Sequence, residues 1–179
     1  MLAKKPLQKR VILYLAQTKP QTINEIAIGI SRDWKTSSIA FKKLEKEGFV
    51  AKTGKSKHYR GRKFPYFWLT DLGVLLAICE GVKPEVLLKT TLEIYPENKD
   101  LQLIIETSPI LGKQALAVLY LVVLNRGEIK QTDLTSIFAA QMLNKLTTKQ
   151  IKQFGKVLER YPERRQQTRK NLKELSDLL

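Results

Sequence analysis

The sequence has one cysteine and one histidine in 179 residues, and each scarcity closes off chemistry. A lone Cys79 permits no internal disulfide and no cysteine-based metal site, and its place in the apolar run VLLAICEG predicts a buried small hydrophobe. Cys79 and His58 lie well apart in the chain, which argues against a Cys-His nucleophile pair, and one histidine cannot build a metal cluster. There is no GxxxxGK[ST] or GxGxxG phosphate loop, and the carboxylates are scattered without a paired motif. Long hydrophobic runs are missing too: Ala115 to Leu124 is the longest, about half of the ~20 residues a membrane helix needs. The basic start before VILYLA lacks the apolar length and the small-residue cleavage pattern of a signal peptide. These absences predict a non-enzymatic, intracellular binding module with no catalytic residue, no metal, no cofactor and no membrane partner.

Acidic residues are also scarce, in one half only. Residues 1–70 hold 16 Lys and Arg against Glu25, Asp33, Glu45 and Glu47, whereas the other 109 residues hold 16 basic and 13 acidic groups. Of the net charge of +15, twelve units therefore sit in the first 70 residues. Solvated faces normally mix both signs, so a one-signed half points to a polyanionic partner.

Within that half, Thr22-Ile23-Asn24-Glu25 has the spacing of a capping box, opening a helix with the inward stripe Ile23, Ile26, Ala27 and Ile30. After a turn at Gly29 to Asp33, Asp33 is placed to cap a second helix, KTSSIAFKKLEK. At about 100° per residue, Ser37, Ala40, Phe41 and Leu44 share one face, and Lys35, Ser38, Ile39, Lys42 and Lys46 the other. Two short helices across a turn form a helix-turn-helix pattern, whose second helix fits a DNA major groove. A helix from about Pro6 to Thr18, with Leu7, Val11, Tyr14 and Leu15 on one side, packs on them.

Gly48 ends the second helix. Phe49 to Thr53 then reads as a strand, Gly54 to Lys63 as a loop, and Tyr66 to Leu69 as a returning strand before Thr70 caps another helix. The segments FKKLEKEGFV, GKSKHYRGRK and FWLTDLG resemble the winged helix-turn-helix domain of prokaryotic transcription regulators, especially small archaeal ones and the MarR and PadR groups. The resemblance spans roughly Pro6 to Gly81, and rests on Leu44, Glu45, Gly48 and Val50 at the helix end and on Leu69, Thr70 and Gly73 opening the next helix. It implies a recognition helix, a basic wing, and double-stranded DNA as partner.

Side chains early in a recognition helix reach base edges, which nominates Lys35, Thr36, Ser38, Ile39 and Lys42. Thr36 has a second reading as a helix cap, and Ile39 fits either a thymine methyl or packing under the wing or a partner. In the wing, Lys52, Lys55, Lys57, Arg60, Arg62 and Lys63 fall within 12 residues that hold no carboxylate. Lys55, Lys57, His58, Arg60, Arg62 and Lys63 are the expected backbone contacts, and Arg60-Gly61-Arg62 suits a narrow minor groove.

The rest of the chain reads as helical: Asp71 to Glu80, Pro84 to about Tyr95 before a break at Pro96, Glu97 to Glu106, Ile110 to Leu124 preceded by Pro109, Gln131 to Lys145, Thr148 to Arg160, and Glu163 to Leu178. The Ile110 to Leu124 helix, apolar nearly all round, is expected to be buried on several sides as a hub or dimer interface. The fold class is thus mostly α with a small β wing: residues 1–81 as a winged helix-turn-helix domain, and residues 82–179 as a helical domain for dimerisation, a partner or an effector. The functional expectation is a cytoplasmic, nucleoid-associated homodimeric regulator of transcription bound to duplex DNA. Alternatives are a plasmid or virus replication or partition factor, and a winged-helix scaffold for protein contacts.

Overall fold

The computed structural model describes residues 6–126 and 147–176. It is mostly helical with one small two-stranded antiparallel sheet. The elements in order are α1 (Pro6–Gln17), α2 (Ile23–Gly29), α3 (Trp34–Lys46), β1 (Val50–Tyr59), β2 (Arg62–Leu69), α4 (Asp71–Cys79), α5 (Pro84–Ile94), α6 (Lys99–Arg126), α7 (Thr148–Glu159) and α8 (Pro162–Ser176). The chain divides into two compact units, Met1–Thr90 and Thr91–Leu179, so the division falls inside α5 rather than at Gly81.

Local chemistry explains the starts of the short helices in the first unit. Thr22 and Glu25 form the reciprocal capping box on α2, and Asp33 accepts the Thr36 N–H at 2.8 Å at the start of α3. These caps partner the N–H groups of Thr22, Glu25 and Thr36, and so help seven residues hold as α2. Their inner faces meet in one core: Val11, Ile12 and Leu15 from α1, Ile26 from α2, Phe41 and Leu44 from α3, and Trp68 and Leu69 from β2 are all 2 % exposed or less. Phe41 and Phe67 pack edge to face with centroids 4.6 Å apart, tying α3 to the hairpin. The buried Trp68 indole N–H donates to the Leu15 carbonyl at 2.9 Å, which satisfies the one polar group the ring carries inside. Arg10 donates to the Ile30 carbonyl at 2.6 Å, holding the C-terminal end of α2 against α1.

The hairpin corrects the expectation of a Gly54 to Lys63 loop. Strand pairing runs to the tip, with Lys57 opposite Phe64, His58 opposite Lys63 and Tyr59 opposite Arg62, leaving a two-residue turn at Arg60-Gly61. Both turn residues have positive φ, 48° and 73°, the backbone twist that two-residue hairpins favour. Gly54 does not open a loop; its φ of 78° serves an irregularity between Lys52 and Ser56, where β1 carries more residues than β2. Gln21 makes a bridge to Phe67 on the other edge of β2, with N–H to carbonyl bonds of 3.1 and 2.9 Å in the two directions.

Gly73 shows why α4 begins as it does. The Thr70 hydroxyl accepts the Gly73 N–H at 3.3 Å and donates to the Gly48 carbonyl, while the Thr70 N–H donates to Phe49. A Cβ on Gly73 would stand 2.1 Å from the Phe49 carbonyl oxygen, so glycine is required by close approach of two backbones.

In the second unit, the expected helices Glu97 to Glu106 and Ile110 to Leu124 are joined as α6, which passes through Pro109 and is interrupted at Gly112 (φ 73°, ψ 165°). Proline deprives the carbonyl four residues back of its helical donor, and here the buried Ser108 hydroxyl donates to that carbonyl, Ile105, at 2.8 Å. Leu101, Ile104, Leu119 and Val123 are fully buried in α6, against which α7 packs. Glu106 on α6 accepts from the Tyr161 hydroxyl at 3.2 Å and pairs with Arg160 at 2.6 Å. Burial, and then the Glu106 carboxylate, push the Tyr161 phenol far above its ordinary pKa, so it remains a donor. Ile110, Leu111, Ala115, Leu116, Leu119, Tyr120 and Val123 are buried within the chain, and Val118, Leu121 and Leu124 are 42 to 52 % exposed. The expected Gln131 to Lys145 helix lies outside the described residues.

Candidate nucleic-acid interface

Helix α3 is amphipathic in a strict sense: Ser37, Phe41 and Leu44 are buried, and Lys35, Thr36, Ile39, Lys42 and Lys46 are exposed. Ser38 departs from expectation. It is 5 % exposed and does not belong to the outward stripe, because its short side chain, on the flank of the buried face, stays beneath its neighbours. The outward stripe is therefore Lys35, Ile39, Lys42 and Lys46, at intervals of four, three and four residues, with Ile39 63 % exposed between cations. With Asp33 at its cap, α3 starts next to a carboxylate whose pKa is lowered, mainly by the Thr36 N–H.

The two faces of the hairpin divide the cationic set. Pleating and register put Lys57, Tyr59, Arg62 and Phe64 on one face, and His58 and Lys63 on the other. All of these side chains, with Lys55, are exposed, and Arg60 stands at the turn with its guanidinium carbon 5.2 Å from the Tyr59 ring centroid. No Asp or Glu lies between Val50 and Leu69. The hairpin is a rod with cations on both sides and at its tip.

Lys57 does not stand free. Its ammonium is 3.1 Å from Oε1 of Glu25, whose Oε2 accepts from the Thr22 N–H at 2.8 Å and the Thr22 hydroxyl at 2.9 Å. One carboxylate thus caps α2 and fastens the hairpin to it. Burial alone would raise the Glu25 pKa, but the Thr22 N–H, the Lys57 ammonium and the Thr22 hydroxyl outweigh it and lower the pKa. The hydrogen bond and charge of Glu25 correspondingly raise that of Lys57.

Between the α2 and α3 starts and the inner hairpin face lies an open groove of about 490 Å³, walled by Trp34, Tyr59 and Phe64 with Asn24, Glu25 and Lys57. Trp34 and Tyr59 are more than half exposed. Sequence reasoning missed this groove. Trp34 stands seven residues before Phe41, so periodicity assigns it to the core side, yet the buried face begins only at Ser37. The alternation of Lys57 with Tyr59 and of Arg62 with Phe64 was the available signal that these side chains share a face. Among the described residues, no three His, Cys, Asp or Glu side chains come together as a metal site requires, and no helix is long and apolar enough to cross a membrane. The sequence matches no protein-family model, and no curated protein matches it.

Proposed function

We propose that the chain is a winged helix-turn-helix protein that binds double-stranded DNA and regulates transcription without catalysing a reaction. The observation that carries this reading is the exposed stripe Lys35, Ile39, Lys42 and Lys46 on α3, beside a carboxylate-free hairpin with Arg60 at its tip. The order of three helices, hairpin and helix in the first unit supports it, as does the concentration of positive charge there. In this reading α3 lies in the major groove, and Arg60, Arg62 and Lys63 follow the backbone or enter the adjoining minor groove. Lys55 and His58 add phosphate or sugar contacts. Lys57 stays paired with Glu25 and adds a phosphate contact only where that carboxylate is removed.

Competition for a randomised duplex library tests the division of labour. Arg60→Ala with Arg62→Ala should weaken binding to every duplex, whereas Lys42→Ala should shift preference among sequences by ~1 to 3 kcal/mol for each base edge no longer read. Loss of one preferred site alone in the hairpin variant would reverse the roles. A scaffold reading draws on the exposed Ile28, Trp34 and Ile39, and it predicts no duplex binding in the same experiment.

The second unit is proposed to join two copies, so that two half-sites one helical turn apart are held together. The support is the exposed Val118, Leu121 and Leu124, three apolar side chains at intervals of three on α6. Leu121→Glu should give a folded monomer in sedimentation, while Leu119→Glu, at a fully buried position, should unfold the unit. A wild-type chain that sediments as a monomer at micromolar concentration contradicts this assembly. Location with the nucleoid in the cytoplasm follows from the proposed activity.

A further inference from the structure

We propose that the groove between Trp34 and the hairpin receives an unpaired base of single-stranded DNA, so that the protein grips junctions between duplex and single strand more tightly than blunt duplex. The inference rests on the nucleic-acid reading above and deepens it.

Trp34 and Tyr59 are 58 and 57 % exposed, and Phe64 is 38 % exposed on the same groove. Reading a duplex with the Lys35, Ile39, Lys42 and Lys46 stripe gives no role to an indole at the first position of α3. Single-stranded DNA presents what such a wall lacks: flat π faces that stack on aromatic rings, joined by a backbone that seeks cations. Both complements are present. The rings line the groove, and Arg60, Arg62 and Lys35 are exposed cations of the same unit. Stacking of Arg60 on Tyr59 already shows a π face of the hairpin in use by a planar cation.

The polar side chains in the groove suit a base rather than a peptide of either charge. Glu25 is ion-paired with Lys57 and its other oxygen is held by the Thr22 N–H and hydroxyl, so it does not stand as a free carboxylate facing the incoming phosphate. Asn24, exposed on the groove wall, carries both a carboxamide acceptor and donors for a base edge. The opening of about 490 Å³ lies within the range of small-ligand clefts, roughly 300 to 1,000 Å³. The occupant is thus an unstacked nucleotide on a strand whose phosphates run along the hairpin.

The chain has two tryptophans, and Trp68 is fully buried with its N–H bonded to Leu15, so changes in emission on binding report on Trp34. The experiment uses the full chain with a blunt DNA duplex and with the same duplex carrying a short single-stranded overhang, and reads anisotropy and tryptophan emission together. The overhang should quench Trp34 and tighten binding about tenfold, as one base stacked on an aromatic does. The blunt duplex should bind without quenching. Trp34→Ala should reduce overhang affinity to that of blunt duplex, while Trp34→Phe keeps most of the gain; emission from Trp68 certifies that each variant is folded. Equal affinity for the two DNAs in the wild type overturns the proposal and leaves the duplex reading intact. So does equal weakening on both DNAs in Trp34→Ala, which would make the indole a general contact. Quenching by the overhang with no binding of blunt duplex supports the groove and removes the duplex reading instead. Binding of neither DNA removes both, and makes the groove a protein-facing surface.

Discussion

Replacing Glu25 by glutamine and by alanine separates two roles that one carboxylate combines. In the wild type Oε2 accepts from the Thr22 N–H and hydroxyl, and Oε1 holds the Lys57 ammonium. Thr22 is 5 % exposed, so alanine at position 25 leaves a buried backbone N–H without its acceptor. Loss of that cap should cost about 1 to 2 kcal/mol of stability, read as a lower urea midpoint with unchanged m-value. Glutamine keeps an amide oxygen for Thr22 and should stay within about 0.5 kcal/mol of wild type, because an ion pair to an exposed lysine contributes little. The effects on DNA run the other way. Either variant frees Lys57 and removes a negative charge beside the hairpin. Affinity for duplex should therefore rise, and the slope of log affinity against log salt should steepen by about 0.9 for one added phosphate contact. Anisotropy titrations at several salt concentrations, beside urea unfolding, read both quantities. If glutamine destabilised as much as alanine, or if neither variant changed the slope, the dual role assigned to Glu25 would be refuted.

Gly73→Ala should destabilise the first unit by about 1 to 3 kcal/mol, since its Cβ meets the Phe49 carbonyl oxygen at 2.1 Å and backbone must move; thermal unfolding measures it. Arg60→Asn should stabilise the hairpin by up to about 1 kcal/mol, because asparagine tolerates the positive φ of 48°, yet lower duplex affinity; a variant less stable and equally tight would contradict the turn assignment. Acid should loosen the starts of α2 and α3. Glu25 and Asp33 both have folded pKa values below their ordinary 4.5 and 3.8, so their stabilisation is present above those values and is lost as pH falls through the depressed ones. NMR titration of the Thr22 and Thr36 amides between about pH 5 and 2 should show it, and amides that shift instead near neutral pH would contradict the caps.

What could be read in the sequence was what side chains do locally. The Thr22 to Glu25 box, the Asp33 and Thr70 caps, and the inward stripe Ser37, Phe41 and Leu44 depend on spacing within one or two turns, and they stand where spacing put them. The hairpin was misread because Gly54, Gly61 and six cations lower strand propensity, whereas pairing across the strands decides it: Tyr59 meets Arg62, and Lys57 meets Phe64. A separate helix was expected to follow Pro109, whereas the helix runs through it, with the Ser108 hydroxyl serving the carbonyl that proline leaves without a donor. Of the candidate site, the stripe on α3 was legible from periodicity apart from Ser38, which lies on its flank. The contact between Glu25 and Lys57, 32 residues apart, and the exposure of Trp34 depend on how the hairpin folds back over the two helices. Nothing in a local pattern encodes that.

The central claim is that α3 and the hairpin hold duplex DNA largely through its phosphates, and salt dependence tests it most directly. With two copies covering roughly 6 to 8 phosphates, the slope of log affinity against log salt should be about −5 to −7. In Arg60→Ala with Arg62→Ala the slope should be shallower, by about 0.9 for each phosphate that the hairpin no longer neutralises. A slope near zero for the wild type, or one that the hairpin variant leaves unchanged, would contradict the account.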